Sequence, residues 1–406
     1  MNHPHDRLFS SLANLLPEAV EWLRRLVEIN SFTSRPAGVK DVTHLTAEMF
    51  APLGFQPEWI ASENSEYGPH LFLRRQGQSE TPPVVLVTHS DTVFPPEEEE
   101  RENFRWKEME GRIYGPGTVD NKGGTVLIWL MLQAMKEWNA ELLESTNWLI
   151  AANASEEVTA SDFGRLTRER CQKGARAVLV FEGGPRQGDT FQIVTARKGR
   201  AEFVIDSIGK AAHAGSSHGE GINAIVGIAK CLAPISALSN SSQELTVNIA
   251  KISGGTVLNR VPHEAQAALE MRAFEPSVLA ATESRIKQIL EEHSHQTGSL
   301  QLRCEGRTQG WPGDGETMRL FDHWAEAARV LGYEAVSIRR GGLSDANYLA
   351  GLGPMLDGMG PAGANAHCSE WRPEEGKLPE FVEVDSFVPK AALNLVALTR
   401  VLQGVG

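Results

Sequence analysis

Cysteine is scarce and poorly spaced for chemistry. Cys171, Cys231, Cys304 and Cys368 are scattered through 406 residues without a single Cys-x-x-Cys pair. That spacing argues against a thiolate zinc site or a redox pair. Basic side chains are also in deficit. The 39 lysines and arginines face 52 aspartates and glutamates, a formal charge of −13. Nucleic-acid surfaces need basic clusters that displace counterions, and docking on an anionic membrane needs them too. The composition argues against both partners. No uninterrupted apolar stretch approaches the roughly 20 residues of a membrane span. The opening, MNHPHDRLFSSLANLLPEAV, has no basic segment followed by a long apolar run, so no signal peptide is expected and the cytoplasm is the default location. What is present is globular: 41% hydrophobic and 22% charged residues, in a chain long enough for two or three domains.

The apolar pattern predicts two kinds of architecture. In the first half, VVLVTH, WLIAAN and AVLVFE are short, continuous runs rich in branched residues, as expected for strands buried on both faces. Helical stretches alternate with them, including GGTVLIWLMLQAMKEW. This implies an α/β domain with a mostly parallel sheet and helices on both faces. Near Arg197 the character changes to strand-helix-strand-strand-helix-strand, the ferredoxin-like α+β signature. After Thr308 the α/β pattern returns and closes with a helix over 388–402. The expected organisation is a discontinuous domain, 1–196 with 308–406, carrying an inserted domain at 197–307. Hinges near 197 and 307 would let the two close over a substrate. The run of four glutamates at 97–100 reads as a solvated loop.

Polar residues sit where those strands end. His89 ends one, Glu156 and Glu157 follow the next, and Glu182 ends the third. Asp120 lies just before a helix, and His367 lies in a late loop rich in glycine, alanine and asparagine. The carboxyl ends of strands in an open α/β sheet form its ligand crevice, so these residues can meet despite their distance in sequence. Taken singly, each has a plainer explanation, such as a core imidazole, a surface pair or a salt-bridge partner. As a set they are costly to desolvate unless paired or bound to metal. Mixed imidazole and carboxylate donors suit zinc, cobalt or manganese better than calcium or magnesium. Asp91, two residues after His89, is placed to accept the second imidazole N–H and fix its tautomer; the alternative is a turn-forming aspartate. Adjacent Glu156 and Glu157 can divide into a ligand and a general base, and spacing alone leaves their order open.

The segments THSDTVFP, GRIYGPGTVDNKGG, ASEEV, FEGG, GKAAHAG, GGTVLNRVP, RGGLSDANY and AHCSE together resemble one family. It is the co-catalytic zinc metallopeptidase family of glutamate carboxypeptidases, aminoacylases, acetylornithine deacetylases and succinyl-diaminopimelate desuccinylases. The resemblance is nearest the glutamate carboxypeptidase-like branch, and Glu182, where many deacetylases have aspartate, leans the same way. It implies a dinuclear site holding two divalent ions, zinc first, with cobalt or manganese as alternatives. His89, Asp120, Glu157, Glu182 and His367 would be the ligands, with Asp120 bridging. Glu156 would be the general base and Asp91 its supporting acid. It also implies a cis peptide at Asp120–Asn121 and a homodimer formed through the inserted domain. His213 would reach the partner's active site, with Asn259, Arg272, Arg307 and the Gly341–Gly342 backbone contacting substrate. The implied substrate is a small peptide or N-acyl amino acid with a free C-terminal carboxylate. A small-molecule deacylase of the acetylornithine type is the alternative, and a catalytically silent metal-binding protein is a third reading. A nucleotide-binding oxidoreductase would need a glycine-rich turn after its first strand; THSDTVFPP follows this one instead. One departure lies after His367, where WRPEEGKLP intervenes before EFVEVDSF resumes the pattern. It reads as an insertion at the rim of the site.

Overall fold

The structure, a computed structural model, describes residues 6–78, 80–158 and 161–404. Residues 1–5, part of the opening read above for a leader, lie outside the described residues. The chain divides into two compact units. One comprises Met1–Thr195, Gly313–Arg339 and Ser344–Gly406; the other comprises Ala196–Pro312 with Arg340–Leu343.

The first unit is built on a six-stranded sheet. Its order is Gln56–Ile60, His70–Arg75, Trp148–Asn153, Val84–His89, Ala177–Val180 and Met355–Leu356. Only His70–Arg75 runs against the others, so the sheet is mostly parallel. Every residue of Val84–His89, Trp148–Asn153 and Ala177–Val180 is buried, which is why these strands read as unbroken apolar runs rather than alternating ones. Helix Lys122–Trp138 shares their core, and Val126, Leu127, Ile128, Leu130 and Met131 are fully shielded from solvent. Each such side chain contributes about 1.5–3 kcal/mol through lost water contact. In-register pairing of His89 with Asn153 at the ends of neighbouring strands delivers two polar residues to one edge of the sheet.

The second unit has a four-stranded antiparallel sheet in the order Thr246–Gly254, Glu264–Ala273, Gly199–Ile208, Ser299–Thr308. Helices Ala224–Ser236 and Pro276–Thr297 cover one face, where Phe203, Ile228, Cys231, Leu269 and Ile286 form the core. This is the ferredoxin-like arrangement. Thr246–Gly254 is an edge strand and mostly exposed.

One local expectation is corrected. Residues 97–100 are not a loop; they belong to helix Pro96–Glu102. Proline at the first helical position and three glutamates in the first turn both favour a helix start, the second by complementing the helix dipole. No described helix is long and apolar enough to cross a membrane.

Candidate metal centre

Two groups of side chains meet at the carboxyl edge of the six-stranded sheet, and they share Asp120. His89, Asp120 and Glu182 form one; Asp120, Glu157 and His367 form the other. Within each, the candidate ligand atoms lie within 4.8 Å of one another. His89 Nε2 is 2.8 Å from Asp120 Oδ1 and 3.7 Å from Glu182 Oε1. His367 Nε2 is 3.3 Å from Asp120 Oδ2 and 3.2 Å from Glu157 Oε2. The two oxygens of one carboxylate thus face one imidazole each. The Asp120–Asn121 peptide is cis. Glu156 belongs to neither group. It opens a short 3-10 turn, Glu156–Val158, and this turn separates the two adjacent glutamates that spacing alone could not assign.

The two imidazoles are held differently. The His89 ring is fully buried, and its Nδ1 donates to the Asp91 carbonyl at 3.1 Å, with the Asp91 carboxylate farther off at 3.4 Å. That bond leaves Nε2 as the atom directed at Asp120. His367 is half-exposed and sits in a left-handed backbone conformation, φ 67°. Few side chains adopt that region without cost, so the loop itself is shaped to present this ring.

Asp91 does more than the sequence foretold. Its buried carboxylate accepts the backbone N–H groups of Glu156 (3.1 Å) and Glu157 (3.3 Å) and the hydroxyl of Thr33 (2.7 Å). It thereby fixes the turn that presents both glutamates, while its main chain orients His89. Asn153 and Asp345 support the same turn. Asn153 Oδ1 accepts the Ser155 N–H, and its amide donates to Asp345 Oδ1 at 2.7 Å. Thr33, Asn153 and Asp345 carried no signal in the sequence beyond polarity. Asp345 lies within RGGLSDANY, three residues after Gly342.

The electrostatics fit a cation. Loss of hydration, reinforced by Glu182, Asp345 and Glu157, pushes the Glu156 carboxyl well above its usual range, although His89 opposes this. Burial raises Glu157 as well. Burial would also raise Asp120, but hydrogen bonds from His367 and His89 hold it far below the usual carboxylate range. Burial would lower His89, yet its bonds to Asp120 and Asp91 carry it well above an ordinary imidazole. Bonds to Asp120 and Glu157 push His367 up to about 11. Carboxylates gathered this closely require positive charge among them. Two imidazole nitrogens and three carboxylates make the donor mixture expected for zinc, cobalt or manganese.

The substrate-side candidates fall in the second unit. His213 is exposed, and its Nδ1 accepts the N–H groups of Gly215 and Ser216, each at 3.1 Å. Nε2 must then carry the proton of the neutral ring. The loops holding His213 and Asn259 pair through their backbones, with the Ala214 N–H donating to the Asn259 carbonyl at 2.9 Å. Arg272 is held by both oxygens of Glu270, each at 2.9 Å, and donates to the Gly341 carbonyl. Arg307 is not brought together with these groups. It is paired with Glu283 of helix Pro276–Thr297 and lies over the Phe203 ring. The Gly342 carbonyl accepts from Arg197 at 3.2 Å.

The inserted stretch after His367 folds back on itself. Arg372 and Lys377 pair through their backbones, and their side chains both reach Glu370. Trp371 packs edge-on against Tyr114, and the Lys107 ammonium sits 3.7 Å from its ring centre.

Comparison with known proteins finds relatives over nearly the whole chain. Residues 195–298 match the peptidase dimerisation domain of the M20 family. Carboxypeptidase G2 from Pseudomonas sp. (strain RS-16) is 25% identical over 98% of this chain and 92% of its own length. A succinyl-diaminopimelate desuccinylase from Thioalkalivibrio sulfidiphilus is 23% identical over 96% of this chain and 98% of its own. Among solved structures, aminopeptidase PepT from Bacillus cereus shares the fold with a TM-score of 0.79 and 22% identity, covering 95% of this chain and 98% of that one. The chain as a whole is thus similar to M20 family peptidases, and residues 195–298 match that family's dimerisation domain.

Proposed function

We propose that this chain hydrolyses the amide bond of a peptide or N-acyl amino acid that bears a free C-terminal carboxylate. The observation that carries this reading is the pair of donor groups sharing Asp120, with the Glu156 carboxyl beside them and outside both. His89, Asp120 and Glu182 would hold one divalent cation, and Asp120, Glu157 and His367 a second. When bound, such ions supply Lewis acidity and acidify water near neutral pH. Zinc is our first assignment.

Glu156 acts as the general base. It accepts the proton of the attacking water and returns it to the leaving nitrogen. Burial, with Glu182, Asp345 and Glu157 nearby, raises its affinity for protons, in the direction a proton acceptor requires. Asp91 supports it by fixing the turn. His213 of a second copy donates from Nε2 to the developing oxyanion, in the tautomer that Gly215 and Ser216 select. The homodimer forms through the second unit, where the exposed edge strand Thr246–Gly254 and exposed Ile252, Val257 and Leu258 offer an apolar surface for pairing. Arg272, with Asn259 and Gly342, receives the substrate carboxylate. Arg307 has a smaller claim, because Glu283 already neutralises it.

The test has two parts. Chelator-treated protein, reloaded with zinc, cobalt or manganese, is assayed against dipeptides, N-acetyl and N-succinyl amino acids and their C-terminal amides. Preference for free acids over amides supports the reading; preference for N-acetyl or N-succinyl diamino acids over dipeptides moves it to the deacylase side. Glu156→Ala should keep both metals and lose about 10²–10⁴-fold in kcat. Near-parental turnover in that variant would reject Glu156 as the base.

A further inference from the structure

Glu380 follows the inserted stretch and directly precedes strand Phe381–Glu383. It is fully buried, although a glutamate is among the residues least often placed so. Its Oε1 accepts two backbone N–H groups, those of Val119 at 2.9 Å and Asp120 at 3.0 Å. Its own N–H donates to the carbonyl of Cys368 at 2.8 Å, and its carbonyl accepts from Gly115 at 3.3 Å. Its Oε2 is buried and has no hydrogen-bond partner among the described residues. Three polar groups of one residue thus engage the segment 115–120 and the residue next to His367.

We propose that Glu380 is a positioning residue for the metal centre: its side chain fixes the backbone of Asp120, and its main chain fixes the loop that presents His367. One residue thereby sets two of the three donors of the exposed group. This rests on the reading of His89, Asp120, Glu157, Glu182 and His367 as ligands. The physical case is the choice of side chain. A buried carboxylate is costly to desolvate, and an apolar residue would fill a purely structural site at lower cost. Accepting two amides at once, on consecutive residues, needs an acceptor oxygen at that point. The acceptor is delivered by a segment more than 250 residues away in sequence, with a separation of 260 from Asp120. It therefore couples Asp120 to the segment that also follows His367. Partners that orient metal ligands commonly contribute 10–100-fold to affinity.

The test uses the full chain and three measurements. In metal-free protein, hydrogen–deuterium exchange of peptides spanning 116–121 should quicken in Glu380→Ala and return to the parental rate in Glu380→Gln, whose amide oxygen can still accept. Competition with a chromophoric zinc chelator should show affinity weakened about 10–100-fold in Glu380→Ala and restored to within about threefold of the parent in Glu380→Gln. In steady-state kinetics kcat should fall in Glu380→Ala while KM moves less than about twofold. Parental exchange and zinc affinity in Glu380→Ala would overturn the proposal. So would a folded Glu380→Gln that binds zinc as poorly as the alanine variant, since charge rather than hydrogen bonding would then be at work. If Glu380→Ala does not fold, Glu380→Gln decides alone, on the same exchange and affinity readings. If the parent itself binds no zinc, the ligand assignment fails, and the exchange result still judges the Glu380 contact by itself.

Discussion

The two donor groups share a carboxylate, yet they are built on opposite plans. His89, at the end of a fully buried strand, is locked by a backbone carbonyl and enclosed on every side. His367 stands half-exposed on a loop, in a left-handed conformation, and its neighbours are set by Glu380 from the far side of a folded insertion. The first group takes its order from the sheet. The second takes its order from hydrogen bonds between loops. A ligand on a sheet edge is as rigid as the core, whereas a ligand on a loop is as rigid as the bonds that tie the loop down.

The sharpest attack on this comparison is at the residue common to both groups. Asp120→Ala should abolish turnover and bring bound metal, measured by elemental analysis, below one equivalent per chain. Retention of a full equivalent at high affinity would show that the groups are independent. Next in size is the pair His89→Ala and His367→Ala. Each should lose one metal equivalent and most activity, but His89→Ala, whose ring is fully buried, should lose more stability in the metal-free state than half-exposed His367→Ala. That loss is about 3 kcal/mol, because it breaks a buried charge-assisted pair. Equal melting curves for the two variants would erase the distinction drawn here. Asp91→Ala removes the acceptor for Thr33 and for both glutamate amides while leaving every ligand in place. Metal affinity or kcat should fall about 10–100-fold, and an unchanged enzyme would show that the turn holds itself.

The smallest effect concerns a network behind the same edge. His70 accepts the Ala154 N–H at Nδ1 and bonds Asp162 through Nε2 at 3.2 Å, while Asp162 also accepts the Glu63 N–H. Burial opposes ionisation of Asp162, but the bonds from His70, Glu63 and Phe163 bring its pKa down to about 2. A depressed carboxylate stabilises the fold above its unfolded value of about 3.9 and loses that contribution as pH falls through the folded value. The stability gap between the parent and Asp162→Asn, followed by denaturant titration, should therefore be full at pH 5–7. It should shrink between about pH 4 and about pH 2. A gap independent of pH would remove Asp162 from the account.

The contrast between the groups also explains what could be read in advance. His89, Glu156, Glu157 and Glu182 stand out because apolar strands run straight into them, and burial on both faces leaves no reason for such residues except pairing or metal. The parallel sheet and the ferredoxin-like unit were legible on the same principle, since continuous and alternating apolar patterns report which faces are covered. Asp120 and His367 lie in loops, where no strand pattern marks them, and the resemblance to a family sharpened their roles. Thr33, Asn153 and Glu380 carry no local signal because their partners lie 58, 192 and 260 residues away. No local pattern encodes such a bond. Helix Pro96–Glu102 departs from the expected loop for a different reason, since Pro96 starts a helix whose first turn the glutamates stabilise despite their mutual repulsion.

The spread of the donors along the chain has a consequence during synthesis. The buried group is complete in sequence once residue 182 has been made, but the exposed group waits for His367, and Glu380 follows it. The donors of the first group are thus synthesised more than 180 residues before His367, an interval set by 182 and 367, yet their shared Asp120 still waits for Glu380. Translation takes seconds to tens of seconds over such a length. A fragment released before residue 367 therefore lacks one donor of the second group and the Glu380 contact that holds Asp120.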